Sequence, residues 1–258
     1  MFGNKKNIFL KEEEVIKILI QWKSGIERHD IRHFTEIIYK PDFEQLPYTS
    51  YLIKQNVLRA DLEFNQMDKP GDFDVIIIPC SGNNILYNKS CAIEVKIVRP
   101  TRKKPSKNSN SLGFTQLKGL IKDGFPMVGL IHVGMSEPLL DHEKSIIRLS
   151  NKVLNMDDPK ANEGVLEDTS LIKMDHFGSY SANKQMRRLL SLDIPKFVGI
   201  NSFFLDFYDS GEIVIGSCDQ EFWKYKIGYF NPYMKKETIL NLQKYVEKNL
   251  PEFIVIDL

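Results

Sequence analysis

A strand that is apolar on both faces can exist only between two covering layers. This chain contains two such runs. DFDVIIIP (72–79) turns apolar on both faces in its far half, and FPMVGLIHVGM (125–135) has His132 as its one ionisable side chain. Between them lies a third strand-like run, CAIEVKIV (91–98), interrupted by Glu94 and Lys96. Strand alternation puts these two on the same face. Charged side chains are seldom buried unless paired or bound to a metal, so the pair calls for a partner.

The rest of the chain supplies covering elements. Residues 11–28 carry Val15, Ile18, Leu19, Trp22 and Ile26 on one helical stripe, with Glu12, Glu13 and Glu14 favourably placed in the first turn. RADLEFNQM (59–67) alternates and predicts a strand, KPG (69–71) a turn, and SGNN (81–84) a break, giving three strands in series. RPTRKKPSKNSNS (99–111) reads as a basic loop, and LGFTQLKGLIKDG (112–124) as a helix with a glycine stop. Helix, three strands, helix, strand is an α/β order with a mixed central sheet flanked by helices. Downstream the spacing predicts helices near 139–155 and 180–192, a hairpin over 197–217 turning at DSG, and a closing helix over 236–250. Residues 29–58 show no regular period. The chain divides into a core over 1–135, with its chemistry in 59–135, and a C-terminal α+β elaboration over 136–258.

Composition narrows the function classes. The 258 residues are 42% hydrophobic and 27% charged, enough for a sizeable core and unlike a disordered chain. With 35 Lys+Arg against 34 Asp+Glu the formal charge is +1, so any basic footprint must be local. Cys80, Cys91 and Cys218 form no CxxC, which argues against a disulfide framework or structural zinc and for a reducing, cytoplasmic setting. The N-terminus has no signal-peptide pattern and no apolar run approaches the roughly 20 residues of a membrane span. GxxxxGK[ST], GxGxxG and GxSxG are absent.

In an antiparallel meander Asp74 comes level with Glu94. Two carboxylates converging on one face repel unless a cation lies between them. Mg²⁺ takes oxygen ligands of this kind, with one or two carboxylates and several waters. The Val95 carbonyl adds a third oxygen, and Lys96 is placed to orient a water or to stabilise charge on a phosphate.

These residues carry a resemblance. GDFDVII (71–77) followed by AIEVK (92–96) resembles the PD-(D/E)XK phosphodiesterases, the restriction-endonuclease-like fold, over about residues 59–135 together with the helix at 11–28. The family's αβββαβ core matches the predicted order, and Gln116-Leu117 sits where members often carry Gln-Leu. The proline that often precedes the aspartate is replaced by Phe73. The resemblance implies that Asp74 and Glu94, with the Val95 carbonyl, bind Mg²⁺ (Mn²⁺ as a substitute). Lys96 then assists an attacking water, and Gln116 orients Lys96 or that water. It further implies a nuclease acting on nucleic acid, DNA favoured, of a restriction or defence type. A bare [DE]-x-K is uninformative, as Asp158-Pro159-Lys160 illustrates; strand context and the preceding Asp74 distinguish Glu94 and Lys96.

Several residues compete for supporting roles. Asp72 shares a face with Asp74 and is an alternative ligand. Glu63 is either an additional acid or a solvated strand residue. One of Glu12, Glu13 and Glu14 is either a further site acid or part of a dipole-favouring patch. Arg99, Arg102, Lys103, Lys104 and Lys107, with Lys118 and Lys122, are candidate phosphate contacts. His132 reads as a core histidine, and His29 with His33 lacks the HExxH context of a zinc site. Trp223 and Tyr225 are candidates for stacking on bases. Two rival readings remain open: a nuclease-fold module that binds nucleic acid or a partner protein without cutting, and an edge-strand salt bridge. The region 136–258 is left for target recognition, a homodimer or partner-subunit interface, or regulation.

Overall fold

The computed structural model describes residues 3–21, 32–35, 37–39, 48–65, 71–106, 113–150, 169–217 and 225–258. Its chain begins with β1 (Lys5–Lys6), α1 (Glu12–Gln21) and the single turn α2 (Arg32–Thr35). Then come β2 (Ser50–Val57), β3 (Phe73–Ser81), β4 (Asn84–Ile85) and β5 (Cys91–Val98), and α3 (Phe114–Asp123) leads into β6 (Met127–Gly134). A ribbon of β7 (Ser145–Ser150) and β8 (Thr169–Met174) precedes α4 (Phe177–Leu190). The remainder is β9 (Gly199–Tyr208), β10 (Ile213–Ser217), β11 (Tyr225–Lys226), α5 (Lys236–Asn249) and β12 (Ile254–Asp257).

One mixed sheet holds β1-β9-β6-β5-β3-β2-β12 in that order, with β10 and β11 also on β9 and β4 on β3. β5, β6 and β9 run parallel, reached through the crossover helices α3 and α4. β5, β3, β2 and β12 alternate in direction. Residues 136–258 do not stand apart from this sheet, since β9 lies beside β6 and β12 beside β2.

Both faces are covered, as the apolar runs require. Ile77, Ile93, Val95 and Ile131 pack with Val15, Ile16 and Leu19 of α1. Ile76, Ile78, Ala92 and Leu130 pack under Leu117 and Leu120 of α3, Met186 of α4 and Leu242 of α5. Ile76, Ile77 and Ile78 are all fully buried because the strand is covered on both sides; each such side chain contributes about 1.5–3 kcal/mol of burial energy. Among the described residues, no helix is long and apolar enough to cross a membrane.

Two expected elements differ. The alternating stretch 59–67 is not a strand: Arg59–Leu62 forms a 3₁₀ turn closed by Glu63 at φ 58°, and the strand pairing with β3 is β2, immediately before it. The reason is Arg59. Its guanidinium makes two bonds to Asp123 (2.7 and 2.8 Å) between the rings of Phe64 and Phe73. Its N–H donates to Asp72 at 3.1 Å. Burying this charge pair bends the chain more strongly than alternation favours a strand. Where a helix is expected near 139–155, residues 139–144 form irregular backbone and a turn and Ser145–Ser150 form β7; residues 151–155 lie outside the described residues. Ile146 and Ile147 fit either period locally, and pairing with β8 decides between them. The predicted helix over 11–28 is described only through Gln21.

Candidate active site

β3 and β5 form ladder pairs from Ile77–Cys91 to Val75–Ile93. The ladder ends there although both strands continue. On the next rung Asp74 replaces backbone pairing with its side chain: its Oδ2 accepts the Val95 N–H at 2.8 Å. Asp74, Ile76 and Ile78 alternate onto the same face as Ala92, Glu94 and Lys96, so the two carboxylates meet on one side of the sheet.

Lys96 gathers this group. Its Nζ lies 2.7 Å from Glu94 Oε1, 3.1 Å from Glu12 Oε1 and 3.5 Å from Asp74 Oδ2. It also donates to the Val95 carbonyl at 2.9 Å. Glu94 is 2% exposed, whereas the Glu12 side chain keeps 34% at the rim. Glu94 Oε1 approaches the ammonium to 2.7 Å without well-aligned hydrogen-bond geometry.

Burial drives the electrostatics. It raises the Glu94 carboxyl, helped by Asp74 and opposed by Lys96. It raises Asp74 as well, opposed by Lys96 and the Val95 N–H. For Lys96 burial acts downward, but Glu94 and Asp74 outweigh it and the ammonium is held above its ordinary range. Three carboxylates and one ammonium leave an excess of two negative charges when all are ionised.

Two carboxylates and a peptide carbonyl are donors that suit Mg²⁺, whose remaining positions are water. The oxygens of Asp74, Glu94 and Val95 all face the Lys96 ammonium, at 3.5, 2.7 and 2.9 Å. Among the described residues, no group of three or more His, Cys, Asp or Glu has metal-holding geometry. Any cation here would therefore take the two-carboxylate set completed by the carbonyl and water. Gly113, at φ 81° just before α3, closes the site from above. A Cβ there would fall 2.9 Å from Leu130 Cδ1, 3.1 Å from Lys96 Cγ and 3.3 Å from Glu94 Cγ.

The other candidates separate. Gln116 is half-buried in the first turn of α3 and makes no hydrogen bond to Asp74, Glu94 or Lys96. Asp72 is turned away to the Arg59 N–H, and Glu63 pairs at the surface with Lys244 of α5 (3.3 Å) rather than joining the site. Arg99 donates to the Leu10 carbonyl and lies over the Phe9 ring. Arg102 is tied to Glu137 and Glu143. Lys103, Lys104 and Lys118 are exposed, Lys118 lying 4.4 Å from the Phe114 ring centre. His132 is fully buried against Gln185 at 2.9 Å, as a core histidine would be. Lys107, His29 and Trp223, with the side chains of His33 and Tyr225, lie outside the described residues.

Sequence left one site acid unranked among three and gave no sign of a second feature. Glu12 enters the site while Glu14 accepts the Lys11 N–H (2.7 Å) and Glu13 stays exposed; only the helix's docking could rank the three. Lys5 is buried against Asp206 (2.8 Å) and Ser136 (2.6 Å), fixing the segment that leads to Glu12. A lone lysine near a chain start carries no signal of this. An open cavity of about 490 Å³ lies beside Glu63 and α5. Its lining is mostly exposed charges with Leu240 and Gln243, and its one buried polar side chain, Asn241, already donates to the Leu62 carbonyl.

No family model matches this sequence, and no curated protein or solved structure matches it either.

Proposed function

We propose that the protein is a divalent-metal-dependent nuclease of the PD-(D/E)XK type, hydrolysing phosphodiester bonds of nucleic acid, DNA favoured. The observation that carries this reading is the position of the Lys96 ammonium among oxygens of Asp74, Glu94, Glu12 and Val95. With the one-turn α2 and the two-residue β4 set aside, the order α1, β2, β3, β5, α3, β6 supports it, since it has the αβββαβ pattern that the sequence resembles. Asp74, Glu94 and the Val95 carbonyl would hold Mg²⁺ or Mn²⁺. A bound ion of this kind supplies charge neutralisation at the phosphate and a water of lowered pKa. Lys96, displaced toward the rim, keeps its charge and stabilises negative charge developing on the phosphate oxygens. Glu12 holds the ammonium from the open side. A cytoplasmic setting and a restriction or defence role belong to the same reading.

A second reading has its own observation. Lys96 already compensates part of the carboxylate charge, so the same geometry supports a nuclease-fold module that grips nucleic acid or a partner without cutting. Purified protein incubated with plasmid, linear DNA and RNA, in Mg²⁺, Mn²⁺ or chelator, separates the two. Metal-dependent cutting abolished by Glu94→Gln supports the nuclease. Binding without cutting in every condition supports the module.

A further inference from the structure

We propose that α3 and the loop that follows β11 form a track for single-stranded nucleic acid leading away from Lys96; this names the substrate class of the nuclease reading and rests on it. Residues 225–236 contain Lys226, Lys235 and Lys236 and no acid. On this loop Tyr229 is 60% exposed, Phe230 43% and Tyr233 64%. Exposed aromatics in such density are not frayed ends. The buried Asn231 pins the loop: its Nδ2 donates to the Phe125 carbonyl (2.9 Å), its N–H to the Pro126 carbonyl (2.8 Å), and its Oδ1 accepts the Tyr233 N–H (3.0 Å). Rings presented on a fixed backbone bind with little ordering cost.

α3 joins this loop to the site. At its far end Gly124 accepts the Lys235 N–H at 3.0 Å. At its near end Gly113 stands so close to Lys96 and Glu94 that a Cβ there would fall 3.1 and 3.3 Å from their Cγ atoms. Ten residues of helix separate the two ends, about 15 Å. Lys118 and Lys122, four residues apart on one stripe and both exposed, lie between them. The helix adds no exposed acid, because its one acid, Asp123, is buried against Arg59. Cations spaced along a line suit successive phosphates, and exposed aromatic rings suit unpaired bases, which a duplex keeps stacked.

The test measures anisotropy of a labelled single-stranded DNA oligonucleotide and of the matching hairpin duplex on the full chain in chelator, where nothing is cut. The single strand should bind more tightly. Tyr229→Ala with Tyr233→Ala should weaken it at least about fivefold per ring, and the two Trp replacements should restore it. Lys118→Ala with Lys122→Ala should lower the salt slope by about 1 to 1.5. Duplex binding as tight as single-strand binding, wild-type affinity in the double Ala variant, or binding of neither would overturn the track. Hydrolysis of bis(p-nitrophenyl) phosphate, too short to reach the loop, reads the site separately. Cutting there with ring-independent DNA binding defeats only the track, and ring-dependent binding without cutting defeats only the nuclease.

Discussion

Glu94 Oε1 and Lys96 Nζ stand 2.7 Å apart although their residues belong to one strand and point the same way. A lysine beside a glutamate on a covered face would ordinarily extend toward water. Here it folds back over Val95 onto that residue's carbonyl, and the Asp74 and Glu12 carboxylates complete its surroundings. These oxygens lie 2.7–3.5 Å from the ammonium, whereas Mg²⁺ takes its ligands at about 2.0–2.1 Å, so the proposed reading requires them to draw inward when a metal replaces the ammonium.

Glu94→Gln keeps the shape of the side chain and removes its charge. Cleavage should fall about 10²-fold or more, and Mn²⁺ affinity measured by calorimetry should be lost with it. The fold should persist, because Asp74 and Glu12 still partner Lys96. Wild-type metal affinity in this variant would exclude Glu94 as a ligand.

Lys96→Met should behave differently. It leaves three carboxylates without their cation, so in chelator the protein should lose about 2 kcal/mol of stability. That is less than the 3–5 kcal/mol typical of breaking a fully buried pair, because the Lys96 side chain keeps 18% exposure. Mn²⁺ should restore much of the loss without restoring cutting. Denaturant melts with and without Mn²⁺ check this.

The pH dependence has a defined sign. Burial raises Glu94 from 4.5 to about 8 and Asp74 from 3.8 to about 6. The folded protein therefore holds protons that the unfolded chain releases earlier. The stability they contribute is complete below about pH 4 and is lost as pH rises, by about 6 for Asp74 and about 8 for Glu94. Metal binding needs both carboxylates ionised, so apparent Mn²⁺ affinity should climb over the same interval, by up to about tenfold per unit for each proton displaced. Thermal midpoints in chelator and titrations in Mn²⁺ should run in opposite directions. A flat profile in both would remove the buried carboxylates from consideration.

Gly113→Ala tests how the fold supports the site. The positive φ costs an L-residue about 1–2 kcal/mol, and the new Cβ presses on Leu130, Lys96 and Glu94. Stability should drop by that amount and cutting should fall more than the unfolded fraction explains. Equal losses would leave Gly113 a purely structural residue.

Arg59→Leu should do the reverse. Removing one partner of the buried pair with Asp123 should cost about 3–5 kcal/mol, while metal affinity of the protein that remains folded should stay unchanged, since neither residue touches Lys96.

Much of this centre was legible because strand alternation is a strong local signal. IEVKIV placed Glu94 and Lys96 on one face, and DFDVIII placed Asp74 before a buried run; both placements need only a period of two. Local signals failed where a distant partner decides. Arg59 reads as the start of an alternating strand until Asp123, 64 residues away, is seen to hold it. Glu63 is a candidate acid only if 59–67 is a strand, and in the folded chain it meets Lys244 at the surface. Glu12 could not be told from Glu13 and Glu14, because their roles depend on how α1 docks. Lys5 met Asp206 across most of the chain, beyond any periodicity.

The most direct measurement is an anomalous difference map from crystals soaked in Mn²⁺ at about pH 8. A peak bound by Asp74, Glu94 and the Val95 carbonyl, with the Lys96 ammonium moved outward toward Glu12, is the predicted result. An empty map with Lys96 still seated among the same oxygens would contradict it.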